Sequence, residues 1–482
     1  MRQQVQPQAP GNATAATDIT ATTGAVARRR WTARTALVGA LLAPALLAGG
    51  PASAGVTGPW STPTSLSATA TDGVSVVDVR TTGSGDVVAV SYRETPGSGQ
   101  MDLQIAIRPA NSAAWGTPVV VDTLPTGLES VELVPGPDGS LTLTWIKRAA
   151  TNTVRTAVLA PGGTAFSAPV DIAAGVNYID ASTAVGPGGK AIVSWSRYEN
   201  RATAVYVAER ASTGAAWSAP VQLDNTPAET LEGGPDTLLG PDGTATVVWT
   251  ENRADGRTVR AVDRTAGATS WTVPRALSAA TVDAGGANAT LAADGSAVIS
   301  WLSSPTGTWT NETIDIAVRP AGSTQWGPVE QATPVASTGV GEISPLVAPN
   351  GEITLVWHGA GASSFDLQAV TRSPATGTWS APHRLSTGYP REEYDAEIGP
   401  DGTVHVLWSQ QAPSGSPQTV HYAGRTAAGS WTTAHTLSTG PSEVAQGQVV
   451  GGPESRTTAV WQETTAVGGI GRLWSAGTGL TP

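Results

Sequence analysis

Residues 240–277 read GPDGTATVVWTENRADGRTVRAVDRTAGATSWTVPRAL, and this stretch decides the fold. It contains a Pro-Asp-Gly turn, a β-rich run that ends at Trp249 and a second β-rich run that ends at Arg264. A Trp-x-x-Pro sequence beginning at Trp271 completes it. Pro presets φ, Asp bonds back to the backbone and Gly accepts the left-handed conformation, so the turn predicts a tight hairpin between antiparallel strands.

The same pattern recurs along almost the whole chain, marked by two series of aromatic residues. One series ends the first β-rich run of each copy at spacings of 50 to 56 residues: Tyr92, Trp145, Trp195, Trp249, Trp301, Trp357, Trp408 and Trp461. The other opens the last segment at spacings of 51 to 55: Trp60, Trp115, Phe166, Trp217, Trp271, Trp326, Trp379 and Trp431. A fixed period of this size indicates a repeat architecture. We expect these periodic aromatics to pack between neighbouring repeats.

Each repeat reads as four antiparallel strands, a to d, which is the design of a β-propeller blade. Strand d carries the Trp-x-x-Pro sequence and must be the outer edge, because proline cannot donate to a ladder. Eight a–b hairpins and eight c strands follow one another, but the eighth d strand stands first, at Trp60. We therefore predict an all-β, eight-bladed propeller over residues 55–482, whose N-terminal strand closes the last blade and removes an open edge.

Residues 1–54 are predicted to be an export signal. Arg28, Arg29 and Arg30 form a basic region, residues 36–48 are apolar but too short to span a bilayer, and cleavage is expected after Ala54. The three arginines fit general secretion or a twin-arginine route, and both remain open. We expect the mature protein to be extracellular, monomeric and not bound to a membrane.

Charge and composition exclude several classes of partner. Removing the five Arg and one Asp of residues 1–54 from the formal charge of −11 leaves −15 on the mature chain. Such a chain repels phosphate backbones, which argues against nucleic acid. The chain has no Cys, so no disulfide and no Cys-linked lipid is expected. The sequence predicts no cofactor.

No metal site is predicted either. The recurring Pro-Asp-Gly turns offer one carboxylate each, whereas calcium takes six or more oxygen ligands. All five histidines lie in the last third of the chain, and we interpret His405 and His421, proposed as cross-strand neighbours, as structural. Neither a catalytic triad nor a pair of catalytic carboxylates is recognisable. Glu392 and Glu393 are adjacent, and adjacent residues of a strand point to opposite faces.

Function is expected at one end of the ring. The a–b turns and c–d links meet at one end, here called the lower end, and are short. The b–c and d–a loops meet at the upper end and vary, as functional loops on a rigid scaffold do. Aromatic faces can stack on sugar rings, and Arg and carboxylates bond sugar hydroxyls and acidic groups. On this basis we predict these ligand-binding residues in four upper-end loops: Arg197, Tyr198, Arg201, Arg253, Trp309, Arg391, Glu392 and Tyr394.

The c–d junctions resemble the aspartate box of sialidase-type propellers, Ser-x-Asp-x-Gly-x-Thr-Trp. Residues 378–382, Thr-Trp-Ser-Ala-Pro, are similar to its tail, but its Asp is missing in every copy. Several copies carry Arg at the first position of the box: Arg108, Arg210, Arg264, Arg319 and Arg372. The resemblance implies a propeller fold and sugar-related activity. Sialidases, however, have six blades and a Phe/Tyr-Arg-Ile-Pro motif that this chain lacks.

Residues 213–217, Thr-Gly-Ala-Ala-Trp, also resemble a docking motif of eight-bladed quinoprotein dehydrogenases. Those enzymes typically hold a vicinal disulfide, which a chain without Cys cannot form. The leading hypothesis is a non-catalytic module that binds an extracellular glycan or polysaccharide. The alternatives are a sialidase-like exo-glycosidase or polysaccharide-cleaving enzyme, and a protein-interaction scaffold.

Overall fold

The computed structural model of the chain describes the following residues: 59–66, 73–95, 98, 100–110, 112–125, 127–175, 177–199, 202–224, 230–253, 256–305, 312–333, 340–360, 365–386, 389–411, 418–427, 429–438, 443–464 and 471–478. They form eight antiparallel sheets of four or five strands in chain order. The inner strands a contact one another in a closed circle that returns from the last blade to the first. The prediction of an eight-bladed propeller is confirmed, whereas the predicted export signal lies outside the described residues.

The first four blades contain the following strands. Blade 1 has Gly73–Thr81, Val87–Glu94, Met101–Arg108 and Val119–Leu124. Blade 2 has Leu128–Pro135, Leu141–Lys147, Asn152–Leu159 and Val170–Gly175. Blade 3 has Tyr178–Val185, Ala191–Glu199, Ala202–Arg210 and Val221–Gln222. In blade 4 strand a is split into Thr230–Leu231 and Asp236–Leu239, and Ala245–Arg253, Gly256–Arg264 and Arg275–Ala276 follow.

The other four blades follow the same order. Blade 5 has Val282–Leu291, Ala297–Pro305, Thr313–Arg319 and Glu330–Gln331. Blade 6 has Ile343–Val347, Ile353–Ala360, Phe365–Arg372 and His383–Arg384. Blade 7 has Tyr389–Ile398, Val404–Gln411, Gln418–Arg425 and His435–Thr436. Blade 8 has Glu443–Gly451, Thr457–Thr464 and Gly471–Gly477. Short 3-10 turns, Pro187–Gly189 and Pro453–Ser455, stand in two of the a–b links.

The first strand of the chain closes the ring. Thr64–Ser65 pairs antiparallel with strand c of blade 8, where Thr64 lies opposite Ser475 and Ser65 opposite Trp474. An isolated bridge between Trp60 and Thr478 extends the pairing. The N-terminal segment therefore supplies the outer strand of the last blade, as the count of d strands predicts. The pairing covers the outer edge of strand c in blade 8, which would otherwise be open.

The a–b turns have the predicted chemistry. Gly243 has a φ of 89°, a left-handed conformation that glycine adopts without the steric cost of a Cβ atom. The Asp242 carboxylate accepts a 2.9 Å hydrogen bond from the Thr244 amide, two residues on. The equivalent bond recurs at Asp138, Asp294, Asn350 and Asp401. The side chain of each turn thus fixes the reversal before strand b begins.

The core is divided among the seams, by which we mean the packing interfaces between consecutive blades. Eight clusters of buried apolar residues lie one at each seam. Seven of these clusters contain the strand-b tryptophan of the blade that follows the seam: Trp145, Trp195, Trp249, Trp301, Trp357, Trp408 and Trp461. The predicted inter-blade packing of the periodic tryptophans is confirmed for this series.

Polar side chains on the inner strands join neighbouring blades around the axis. At five seams an oxygen of one such side chain accepts the backbone N–H of the next inner strand at 2.7 to 2.9 Å; the oxygens belong to Asp78, Glu132, Ser182, Asp236 and Asp395. The repeat places Asn288 at the same position opposite Pro345, which has no N–H to donate. Accordingly, Asn288 Oδ1 is buried with no partner among the described residues.

The arginines at the ends of strands c reach into the preceding blade at the lower end. Arg108 and Arg210 contact threonine hydroxyls there, Arg264 and Arg372 pair with glutamates, and Arg319 faces Asp263 at 3.6 Å. Four of them also lie over the Trp of their own c–d link, with centroid distances of 4.7 to 5.8 Å. The arginines that stand at the first position of the box therefore hold neighbouring blades together.

Candidate functional site

The upper end carries the charged and aromatic side chains expected of a binding face, and strands rather than loops position most of them. Strand b of blade 3 runs to Glu199, and the strands b and c of blade 4 leave only two residues between Arg253 and Gly256. The prediction that residues 196–201 and 251–257 are b–c loops is therefore wrong for the described residues among them, which belong to strands. Cross-strand pairing between strands b and c continues to Glu199 and Ala202 in blade 3 and to Arg253 and Gly256 in blade 4. The side chains of these strand ends therefore have a rigid base.

A network of three charged side chains links blades 4 and 5 at this end. The Arg257 guanidinium donates to both oxygens of Glu232, at 2.8 and 2.9 Å, and to Asp283 Oδ1 at 3.0 Å. Burial acts to lower the pKa of Arg257, but Asp283 and Glu232 outweigh it and raise that pKa above its usual value. Glu232 remains one-third exposed, so its carboxylate is held rigidly while still facing solvent.

Two glycines of blade 5 make room for this network. A Cβ atom on Gly285 would lie 2.3 Å from Arg257 Nη1 and from Glu232 Oε2, so no larger residue fits beneath the pair. The next residue, Gly286, has a φ of 64° and donates its amide to Glu232 Oε2 at 3.2 Å. The irregular stretch of strand a at these glycines therefore shapes the carboxylate site.

A second charged group lies at the start of strands a in blades 2 and 3. Glu129 pairs with Arg148 at 2.8 Å, and Asp180 is close enough to act on it electrostatically. Burial raises the pKa of Glu129, Arg148 opposes that rise and Asp180 adds to it. Two carboxyl groups of neighbouring blades thus share one environment in which Glu129 holds its proton to a higher pH than an exposed glutamate does.

Arg197 and Tyr198 belong to the last three residues of strand b in blade 3. The Arg197 side chain is 28% exposed and pairs with Glu199 at 2.9 Å, and Tyr198 is half-buried. Arg197 lies opposite Tyr178 in the ladder, and the Tyr178 ring is 6.1 Å from that of Trp195. Burial raises the pKa of Tyr178 above its usual value. A cation and two aromatic rings therefore meet at this point of the upper end.

The remaining predicted site residues have different outcomes. Arg201 and Trp309 lie outside the described residues. Arg253, Arg391 and Glu392 belong to strands, but their side chains lie outside the described part. Residues 389–395 are not the predicted d–a loop, because they form the first part of strand a of blade 7 and pair with strand b across a register shift.

Tyr394 is placed in the core instead of on the surface. Its side chain is only 4% exposed, and its hydroxyl donates to the carbonyl of Val356 at 2.8 Å and lies 3.0 Å from Ser344 Oγ. Burial raises its pKa well above the usual value. A ring enclosed in this way cannot stack on a sugar, so Tyr394 is left out of the ligand-binding set proposed below.

Buried charges on the inner strands link blades 1 and 7 below the upper end. Arg80 of blade 1 lies 2.9 Å from Asp78 and 3.6 Å from Glu397 of blade 7. Burial raises the pKa of Glu397 well above its usual value, and Arg80 opposes this shift. All three residues are less than a tenth exposed. We interpret them as a cluster that joins blades 1 and 7 across blade 8.

The histidines and carboxylates form no metal centre in the part of the chain that the structure describes. No group of three or more possible metal ligands is found there. His405 lies opposite Gly424 and His421 opposite Trp408, so the two histidines are not the cross-strand pair that the sequence favours. Their ring nitrogens lie within hydrogen-bond distance of Tyr422 and Thr419, which is consistent with structural roles.

Sequence reasoning missed the Glu232–Arg257–Asp283 network and the arginine at residue 425. One feature of the sequence could have indicated the network: Gly285 and Gly286 are adjacent inside an otherwise β-rich run, which is typical of an irregular strand. Arg425 follows the strand-c pattern but stands six residues before its Trp instead of seven, because the c–d link of blade 7 is one residue shorter. It pairs with Glu352 of blade 6.

Comparisons with known proteins concern architecture alone. No family model and no curated protein matches the chain. Among solved structures, a polysaccharide lyase aligns with a TM-score of 0.47 and 11% identity over 77% of this chain and 91% of its own. A Hadza microbial sialidase aligns at 0.38 and 11% over 77% and 75%, and a mutant of NanB sialidase from Streptococcus pneumoniae at 0.36 and 8% over 87% and 93%.

Sialidase-type propellers, which the repeats resemble, are thus among the structures that this chain is similar to. Similarity at these values does not extend to substrate or reaction. The described part of the chain contains no helix of the length and apolar character that crossing a bilayer requires.

Proposed function

We propose that the mature protein is a secreted, non-catalytic module that binds an extracellular glycan or polysaccharide at the upper end of the propeller. The observation that carries the proposal is the Glu232–Arg257–Asp283 network. Its carboxylates are fixed by 2.8 to 3.2 Å bonds to Arg257, and Glu232 is still one-third exposed. Sugar hydroxyls bind best to acceptors and donors that are already held in place, because less freedom is lost on binding.

Tyr198, at the upper end of blade 3, supports the same proposal. Tyr198 is half-buried and stands between Arg197 and Glu199, which pair with each other at 2.9 Å. An aromatic face next to a fixed polar group matches a saccharide, which presents apolar ring faces and polar edges. Arg201, Arg253, Trp309, Arg391 and Glu392 remain proposed contacts from the sequence.

The test is a glycan and polysaccharide array probed with the full chain, expressed with its own leader and recovered from the medium. Specific binding that Glu232→Gln and Tyr198→Ala weaken at least about tenfold would support the proposal, since a polar contact at a fixed site is worth a factor of this order. Lys190→Ala, in an a–b link of the lower end, is the matched control and should bind normally. A blank array, or binding that neither upper-end variant changes, would contradict the proposal.

A second candidate function is hydrolysis of a glycoside, and Glu129 is the observation that favours it. Its raised pKa and the nearby Asp180 are the arrangement that a general acid and a second carboxylate require. Loss of the array signal with time, together with release of reducing ends, would indicate cleavage. Glu129→Gln should then abolish the release while leaving initial binding intact. Retention of cleavage in that variant would eliminate Glu129 as the acid.

A further inference from the structure

The seam between blades 1 and 2 contains a complete polar cluster near the upper end. The indole N–H of Trp145 donates to Asp122 Oδ2 at 3.1 Å, and Lys147 Nζ donates to Asp122 Oδ1 at 3.2 Å. Arg155 adds a third bond to the same carboxylate at 2.6 Å. One carboxylate from strand d of blade 1 therefore satisfies the tryptophan and a cation two residues after it in blade 2.

The seam between blades 2 and 3 repeats two of these three donors without the carboxylate, and Tyr206 stands at the position of Arg155. Trp195 and Arg197 occupy the positions of Trp145 and Lys147 in strand b. In strand d, Ala173 replaces Asp122: Leu103 lies opposite Asp122 in blade 1, and the equivalent Val154 lies opposite Ala173 in blade 2. Within the described part of the chain, neither Trp195 Nε1 nor Arg197 Nε has a hydrogen-bond partner.

This pair of donors is an exception within the repeat. In four other blades the strand-b indole donates to the side chain two residues on, at 2.8 to 3.2 Å; those side chains are Glu251, Ser303, Gln410 and Glu463. In blade 3 that position holds Arg197, which can only donate. Trp195 is 1% exposed, and a buried N–H without an acceptor is rare in folded proteins.

The surroundings permit a ligand to supply the acceptor. Ala173 is half-buried and its side chain ends at Cβ, whereas the Asp122 carboxylate extends to the donors in the preceding seam. The rings of Tyr178 and Tyr206 lie 6.1 Å from that of Trp195, on either side of it in the ladder. The Arg197 side chain, two residues after Trp195 on the same face of the strand, is 28% exposed.

We propose that the seam between blades 2 and 3 binds the carboxylate of an acidic saccharide, in the place that Asp122 occupies one seam earlier. The inference rests on the proposed glycan binding and names the class of sugar. One carboxylate oxygen accepts from the Trp195 indole, and the Arg197 guanidinium provides charge-assisted bonds. The partly buried Tyr206 ring contacts the sugar ring, while the buried Tyr178 ring forms the floor beside Trp195.

The experiment introduces an acceptor at residue 173 by substitution, so that the protein itself occupies the proposed carboxylate site. Ala173→Asp restores the carboxylate of the preceding seam, and Ala173→Asn supplies an acceptor of the same size without charge. Ala174→Asp is the matched control, because it adds the same charge one residue away, on the opposite face of the strand. The probes are oligogalacturonate, hyaluronan oligosaccharide and sialyllactose, with methyl-esterified oligogalacturonate and lactose as neutral counterparts.

Two readouts are combined on the full chain: calorimetric affinity, and the Trp195 indole signal in spectra of protein labelled with 15N-tryptophan, assigned with Trp195→Phe. At least one acidic probe should bind and move the Trp195 signal, and its neutral counterpart should bind at least about tenfold more weakly. Ala173→Asp and Arg197→Met should abolish this binding, Ala173→Asn should weaken it and Ala174→Asp should leave it unchanged.

Several results would overturn the inference. These are failure of every acidic probe to bind, an unmoved Trp195 signal at saturation, or equal affinity in Ala173→Asp and the parent. A high-resolution structure with an ordered water only at Trp195 Nε1, even in excess acidic probe, would do the same. If the array shows neutral glycans whose binding depends on Glu232 but not on Ala173, only this inference fails. A blank array removes the proposed function as well.

Discussion

The two ends of the propeller use the same residue types for different purposes. At the lower end, Arg425 pairs with Glu352 of the preceding blade, and both side chains are about a tenth exposed or less. At the upper end, Arg197 pairs with Glu199 of its own strand, and these side chains are 28% and 49% exposed. Trp, Arg and carboxylates stand at both ends, so composition alone cannot separate a structural contact from a binding site.

What separates the arginines of these two pairs is whether they bridge two blades. Buried donors without a hydrogen-bond partner in the described part of the chain occur at both ends: Arg108 Nε and Arg319 Nε at the lower end, and Trp195 Nε1 and Arg197 Nε at the upper end. The lower-end arginines bridge two blades and are enclosed by the tryptophans of the c–d links. At the upper end, the donors of Trp195 and Arg197 exceed the acceptors that the described residues provide. A donor that lacks a partner is available to a ligand only where solvent also reaches its side chain, as it does at Arg197, which is 28% exposed, and not at Arg319, which is 0% exposed. The predictions below test this difference.

The largest effect is expected from Glu352→Ala at the lower end. The substitution leaves Arg425 buried without its carboxylate, and breaking a buried ion pair in this way costs about 3–5 kcal/mol. We expect the free energy of unfolding, measured by urea titration, to fall by this amount. Glu330→Ala, which removes the more exposed partner of Arg372, is the control and should cost less. Equal losses would show that enclosure does not distinguish these pairs.

The second-largest effect is expected from acid, which should lower the free energy of unfolding through His405 at the lower end. Burial lowers the pKa of His405 to about 4, and the charge of Asp401 opposes this shift. The unfolded chain, with an ordinary histidine pKa near 6.5, binds the proton first as the pH falls. Stability from neutral His405 is therefore fully present above about pH 6.5 and is lost towards pH 4, by up to roughly 3 kcal/mol.

The measurement is the free energy of unfolding from pH 7.5 to 4 in the parent and in His405→Gln. The variant should be less stable at pH 7.5, because Tyr422 loses its 2.9 Å bond to His405, and its curve should be flatter below pH 6.5. Parallel curves would assign the acid sensitivity to another group, of which His421, with a pKa also lowered to about 4 by burial, is the next candidate.

Asp122→Ala should turn a satisfied upper-end seam into an unsatisfied one. It removes the shared acceptor of Trp145, Lys147 and Arg155 and leaves a buried indole N–H unbonded, a loss of about 2 kcal/mol. Asp171→Ala is the control, since Asp171 bonds the same Arg155 but is 60% exposed. An undiminished stability in Asp122→Ala would contradict the view that this carboxylate holds the seam.

The repeated pattern predicted the fold because each of its parts acts locally. The turn residues fix the a–b reversal, alternation gives the strands, and counting d strands predicts the closure at Thr64–Ser65. The inner-strand polar ring escaped notice since its members share a position but not a residue type, as Asp78, Glu132 and Ser182 illustrate. Which side chain accepts a neighbour's N–H depends on how blades dock, and no single repeat encodes that.

The upper end was harder to predict for a related reason. The charges of residues 391–393 resemble a solvated loop, yet the stretch belongs to strand a of blade 7, and Tyr394 beside it is buried by blade 6. Burial of that ring is decided by the neighbouring blade. The absence of a polar side chain at Ala173, by contrast, is readable once the eight strand-d segments are aligned, because the other seven carry Asp, Ser or Thr at that position. Its consequence for Trp195 is not readable, since in blades 3 to 7 this side chain accepts the strand-c N–H of its own blade, whereas Asp122 accepts from the tryptophan of the next blade.

The smallest change in stability is expected from Glu199→Ala, which sharpens the contrast between the ends. An exposed ion pair contributes less than about 1 kcal/mol, so the free energy of unfolding should barely move. The affinity for an acidic saccharide should rise several-fold, because Glu199 competes with the ligand carboxylate for Arg197 and repels it. Glu94→Ala, at the same end of strand b in blade 1, is the charge-matched control and should leave the affinity unchanged. If Glu199→Ala instead weakens binding, Glu199 itself contacts the saccharide, and Arg197 is then a positioning residue for that carboxylate.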